Sequence, residues 1–191
     1  MILKRLFNRS PAPERRCYEA IVAAARHPAF YAHWGVADTL DGRFDMVALH
    51  TYLVLDRLKG VEPAFRQDLV DEFFRDMDRS LRELGVGDIS VGKKVRKMAE
   101  VFFGRVAAYD AALAGAEDGL VPAIARNVFP DDPAPAGAAL LAAYLKDQRG
   151  HLAAQGCATS TAASRGRFEG SDATTASDTR DRQQAPRSRR S

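Results

Sequence analysis

The stretch GDISVGKK at 87–94 falls one residue short of a phosphate-binding loop. Such a loop needs a preceding strand, a glycine-rich turn whose amides face the phosphates, a lysine, and a Ser or Thr hydroxyl for magnesium. Here Lys94 stands at the hydroxyl position, and the residues before the stretch repeat with a helical period. The run LVLD at 53–56 matches the second nucleotide motif only in its letters, because it too lies inside a helical pattern. Without a parallel sheet no nucleotide site can be built. Acid-based chemistry fares no better. DEFFRDMD at 71–78 could hold magnesium with an isoprenyl diphosphate, but it lacks DDxxD spacing and has no second acidic motif to face. Asp71–Arg75 and Asp78–Arg82 are i,i+4 pairs, which read as helix surface. A di-iron bundle needs Glu-x-x-His; the residues three before His27, His33, His50 and His151 are Ala24, Phe30, Val47 and Gln148. His50 sits among apolar residues and reads as a hydrogen-bonded core histidine. The residues give no argument for catalysis, a cofactor, a metal or a small-molecule substrate.

The elements that carry these residues are helices. The chain has 191 residues, 46% hydrophobic and 28% charged, ordinary for one globular core. No run approaches the ~18 apolar residues of a membrane span. MILKRLFNRS has no apolar h-region, so secretion is not expected. Cys17 and Cys157 fit neither a disulfide framework nor a zinc site. The net charge of +3 arises in the last 36 residues, where seven Arg meet four acids; residues 1–155 balance at 21 and 21. A basic nucleic-acid-binding body is therefore not indicated. The organisation expected is a short basic segment at 1–12, an all-α single domain of five or six helices at 13–155, and a disordered Arg/Ser/Thr-rich tail at 156–191, too poor in large apolar residues to order itself.

PERRCYEAIVAAARH reads as a first helix, with Cys17, Ile21 and Ala24 or Ala25 on one face. HPAFYAHWGVADTLDGR reads as irregular, with Phe30, Tyr31 and Trp34 as anchors and a turn at Asp41-Gly42. FDMVALHTYLVLDRLKG is a helix whose wide apolar arc predicts burial on two sides. Pro63 opens the strongest helix, with Phe65, Leu69, Phe73, Met77, Leu81 and Leu84 inward; Asp68, Asp71, Glu72, Arg75, Asp76, Asp78, Arg79 and Glu83 occupy the opposite face. Gly85 and Gly87 end it in left-handed conformations. Asp88 or Ser90 caps the next helix, which runs to about Leu113 with Val91, Val95, Met98, Phe102, Val106 and Tyr109 inward. The short link predicts a central antiparallel hairpin. GLVPAIARNVF and AGAALLAAYLKDQRGHLAAQ supply two more helices.

Two features of this hairpin suggest a binding surface. Arg82, Glu83, Gly85, Gly87, Asp88, Lys93, Lys94 and Lys97 gather charge at one end. Helical neighbours differ by about 100°, so if Phe73 and Phe102 face the core, Phe74 and Phe103 reach its edge and make an apolar patch.

DGRFDMVALHTYLVLDRLKG and DEFFRDMDRSLRELGVGDISVGKKVRKMAEVFFGRVAAYDAAL resemble the ubiquinol–cytochrome c chaperone family, over 41–113 and more loosely over 28–152. The resemblance implies an all-α, non-catalytic assembly factor of the cytochrome bc1 complex that binds newly made cytochrome b. It implies a site at the inner membrane's cytoplasmic face, or its matrix face in a mitochondrion. A small partner protein and the translating ribosome are further partners it suggests. The Ala-, Arg- and Gly-rich composition points to a bacterial member. Basic residues after Gly92 could meet ribosomal RNA or anionic lipid, and ILKRLF could touch a membrane surface. Two rival readings stand beside this one. One is a helical nucleic-acid-binding regulator using Lys93–Lys97 and the tail. The other is a helical isoprenoid- or quinone-related enzyme.

Overall fold

In the computed structural model, residues 12–115, 119–132 and 135–154 are described. The basic segment before Ala12 and the tail expected to be disordered lie outside them. The described residues form seven helices and no strand. They are α1 (Pro13–Ala25), α2 (Pro28–Ala32), α3 (Leu40–Arg57), α4 (Pro63–Glu83), α5 (Asp88–Ala114), α6 (Leu120–Val128) and α7 (Ala136–Ala154). The all-α expectation is met. The additional element is α2, a single turn in the stretch expected to be irregular. Pro28 presets its first turn, the Ala29 amide donates to His27 Nδ1 at 3.3 Å, and Phe30 is fully buried beneath it.

The axis of the fold is α3. It buries residues from Phe44 to Leu53 without a break, including the polar Asp45, His50 and Thr51. A helix apolar all round must be covered all round, and α1, α6 and α7 pack on it. Phe44 and Tyr52 carry the contact onward to Phe73 of α4 and Tyr109 of α5, with ring centroids 5.9 and 5.3 Å apart. The helix starts earlier than expected, because Asp41-Gly42 is not a turn. Thr39 caps the helix, its Oγ1 accepting from the Gly42 amide at 3.1 Å. Gly42 is required for close approach: a Cβ there would sit 2.0 Å from the Ala37 carbonyl oxygen.

The hairpin of α4 and α5 is present as expected, with α1 covering α4 and α6 covering α5. Its inward stripes are as read from the sequence, with two corrections. Leu84 lies past the last turn of α4 and is 62% exposed. Glu72, assigned to the solvent face, is buried, because α1 closes over that side and brings Arg15 to 3.6 Å while Arg75 pairs with it from the next turn. The neighbouring Asp76 accepts from the Tyr18 hydroxyl at 2.8 Å.

Candidate functional site

The link between α4 and α5 is a helix stop followed at once by a helix start. Gly85 takes φ +79°, its amide donating to the Arg82 carbonyl at 2.9 Å, and the Val86 amide donates to the Leu81 carbonyl at 3.0 Å. This is the left-handed closure that glycine permits. Gly87, expected to do the same, instead has φ −64° and is the extended residue before α5. Neither Asp88 nor Ser90 supplies a cap: no side chain bonds the Gly87 end, and Asp88 is the first helical residue, paired with Arg82. The residues resembling a phosphate loop are therefore the first turns of α5. From Ser90 onward their amides are drawn into helical hydrogen bonds, beginning with Ser90 and Val91 donating to the Gly87 carbonyl, and Gly92 lies on the exposed surface of that helix.

The acids of the 71–78 stretch splay apart and do not converge on a magnesium site. Asp71 accepts from Gln67, Asp76 from Tyr18 and Arg79, and Asp78 from Arg82. Arg75 reaches Glu72 instead of Asp71, which corrects one of the two expected i,i+4 pairs; Asp78–Arg82 is the other and is formed.

His50 is buried, with Nδ1 2.7 Å from the Met46 carbonyl and Nε2 2.9 Å from the Tyr144 hydroxyl. Since a carbonyl only accepts, Nδ1 carries the proton and Nε2 accepts from Tyr144. Burial pushes its pKa down to about 4, so the imidazole is neutral and structural. Asp45 is paired with Arg105, which also donates to the Asn127 carbonyl at 3.1 Å. Burial nevertheless raises the Asp45 carboxyl to about 6, outweighing the arginine beside it. A cleft of about 510 Å³ between the C-terminal ends of α3 and α7 is lined by Leu53, Leu113 and Leu152. Its Asp56 and Arg149 are bound to each other at 2.7 Å, and Arg57 donates to the Leu152 carbonyl at 2.8 Å. None of these groups is poised for bond-breaking chemistry; they lock α3 to α5, α6 and α7.

Four of the hairpin's phenylalanines form one continuous row. Phe73 and Phe102 are buried with centroids 4.9 Å apart; Phe74 lies 5.7 Å from Phe102, and Phe103 lies 6.1 Å from Phe74. Phe74 is half-buried between these rings, while Phe103 is 53% exposed. The expected aromatic edge thus has one surface member and one that doubles as core. Beyond Phe103, the outward side of α5 presents Gly104, Ala107, Ala111 and Ala114, all exposed. Their spacing of three, four and three places them in one row. Beyond the helix's own backbone and Gly104's chain neighbours, nothing lies within 4 Å of where a Gly104 Cβ would be. The sequence reading missed this row because alanine passes equally for helix former and surface; the signal was the absence of any charge from Val106 to Tyr109 and from Ala111 to Ala114.

At the other end of α5 the outward side is charged. Arg82 is held by Asp78 and Asp88, and Lys97 reaches Glu100 at 3.2 Å. Glu83, Gly85, Gly87, Lys93 and Lys94 are all exposed around them. The structure therefore gathers Arg82, Glu83, Gly85, Gly87, Asp88, Lys93, Lys94 and Lys97 about one tip, with Phe74 and Phe103 farther along the hairpin.

The family model described as ubiquinol-cytochrome C chaperone matches residues 32–164, taking in α3 to α7. The chain belongs to this family. It is also similar to the ubiquinol-cytochrome-c reductase complex assembly factor 1 of Xenopus laevis, at 24% identity over 124 residues. That match covers 62% of each protein, so the chain spans about three-fifths of that relative's length. The crystal structure of the Cbp3 homolog from Brucella abortus is similar at 44% identity with a TM-score of 0.68, covering 80% of this chain and 88% of that one. This family member keeps the fold of the Brucella protein, and the resemblance read from residues 41–113 holds over a longer stretch.

Proposed function

We propose that this chain is a non-catalytic assembly chaperone of the ubiquinol–cytochrome c reductase complex, and that it holds newly made cytochrome b. Family membership supports the first part. The observation that carries the second is the uncovered apolar row Phe103, Gly104, Ala107, Ala111 and Ala114 on α5. A membrane subunit awaiting assembly exposes apolar helices, and small residues let two helix backbones approach closely. Phe103 supplies the large contact at one end of the row, since an aromatic ring buries roughly 150–250 Å² when covered. Phe74 supports it from below.

Among the described residues no helix is long and apolar enough to cross a membrane. The work is done peripherally, at the face where the client is inserted: the cytoplasmic face of a bacterial inner membrane, or the matrix face in a mitochondrion. The nucleic-acid reading is disfavoured because the charges of residues 1–155 cancel.

The test is crosslinked capture of cytochrome b from growing cells, comparing the wild type with Phe103→Asp and Ala107→Glu. Capture should fall by at least about tenfold while the melting temperature stays within the range of a surface change. Undiminished capture by both variants would remove the apolar row from the client site. Deletion of the gene should lower cytochrome b and bc1 activity and leave unrelated membrane complexes intact.

A further inference from the structure

We infer that the tip of the α4–α5 hairpin docks on an anionic lipid surface, with Ile89 and Leu84 entering the headgroup region between basic side chains. Ile89 is 87% exposed and Leu84 62%, the two most exposed large apolar residues among those described. They flank a cluster of exposed cations on the first turns of α5. Arg15, Arg43, Lys59, Arg75, Arg79, Arg82, Arg105 and Arg149 all pair with carboxylates. Among the described residues Lys93, Lys94 and Arg96 make no ion pair, and Lys97 meets only the exposed Glu100.

Ile89, Lys93 and Arg96 follow at intervals of four and three, so one helix face presents an apolar side chain and then two cations. Asp88 is occupied by Arg82, which leaves Glu83 as the acid at the tip without an ion pair. A bilayer with anionic headgroups satisfies both halves of this surface, attracting the cations and burying the apolar side chains. A nucleic acid would satisfy only the cations and would leave Ile89 in water. The inference rests on the proposed function only in placing the protein beside a membrane; vesicle binding is measured on the purified chain, so either can fail alone.

The full chain is mixed with vesicles of phosphatidylcholine alone and of an equal mixture of phosphatidylcholine and phosphatidylglycerol, and sedimented. Binding to the anionic vesicles, weakened by salt, is expected. The pair Lys93→Glu and Arg96→Glu should weaken it by at least about tenfold, since each cation near a charged surface contributes about fivefold. Ile89→Asp should weaken it several-fold with the melting temperature unchanged. Ile89→Trp should blue-shift its emission on vesicle addition, in the difference spectrum against the wild type. Three results overturn the proposal. One is no preference for anionic vesicles. Another is binding that survives the tip substitutions, which assigns it to the basic segments at the chain ends. The last is tighter binding to an RNA hairpin that is indifferent to Ile89→Asp.

Discussion

Where α3 crosses α5 and α7, the carboxylates of Asp45 and Asp56 are buried and matched. Asp45 meets Arg105, Tyr52 donates to Asp110 at 2.8 Å, and Asp56 receives both Lys59 and Arg149. At the hairpin tip, at the far end of α5, charge is exposed and partly unmatched, and the apolar residues beside it face water. In the first region a polar group must find its partner within the fold, because a buried group left alone costs a large part of the total stability. In the second no such demand operates, and composition is free to suit another surface. A helical protein can thus divide its length between self-recognition and recognition of others.

The sharpest way to break that contrast is Arg105→Ala. It strands the Asp45 carboxylate, and breaking a buried pair costs about 3–5 kcal/mol; denaturant titration should show a loss of this size at pH 8. Because Asp45 titrates near 6 in the folded state, it can take up a proton instead, and the loss should be smaller at pH 5.

The pH dependence separates two buried groups with opposite signs. His50 binds its proton less readily folded, near 4, than unfolded, near 6.5, so it contributes stability that is present above 6.5 and lost as pH falls towards 4. Asp45 binds its proton more readily folded, near 6, than unfolded, near 3.8, so it contributes stability at low pH that is lost as pH rises through 6. The two slopes oppose each other over the same window. In Asp45→Asn the second is gone, and the unfolding free energy should climb more steeply with pH between 4 and 6.5 than in the wild type.

Gly85→Ala probes the boundary between the regions. An alanine at φ +79° costs about 1–2 kcal/mol, so a matching loss of melting temperature is expected. Gly104→Ala tests the proposed client row and carries the opposite sign. Nothing crowds the added methyl, and alanine in a helix interior is better than glycine by about 1 kcal/mol. The chain should become more stable while cytochrome b capture weakens. Smallest of all is reversal of Lys93, Lys94 and Lys97 to glutamate, which should change stability by no more than about 0.5 kcal/mol and show itself only in association.

The helical pattern was legible because apolar spacing is long-range and redundant: Phe65, Leu69, Phe73, Met77 and Leu81 repeat one message over five turns. The capping details were less so. Gly42 and Gly87 looked like turn glycines, but one is needed for close packing against Ala37 and the other for nothing local. The buried Glu72 was assigned to solvent because a single helix's pattern does not show that α1 closes over its polar side. The paired Asp45 and Arg105 lie 60 residues apart, and no local spacing connects them. The tip residues stood out early, since a basic cluster needs no tertiary contact to exist. The small-residue row stayed hidden because alanine has no distinctive chemistry.

Leu81 and Val91 are buried against the hairpin link yet stand apart from the main apolar cluster. They make a small seal of their own at the far end of α4 and α5. A segment held by so few apolar contacts can open while the body stays shut. Amide protons from Leu81 to Lys94 should therefore exchange with deuterium sooner than those of α3, and a protease admitted there would nick the tip and leave the remaining helices assembled.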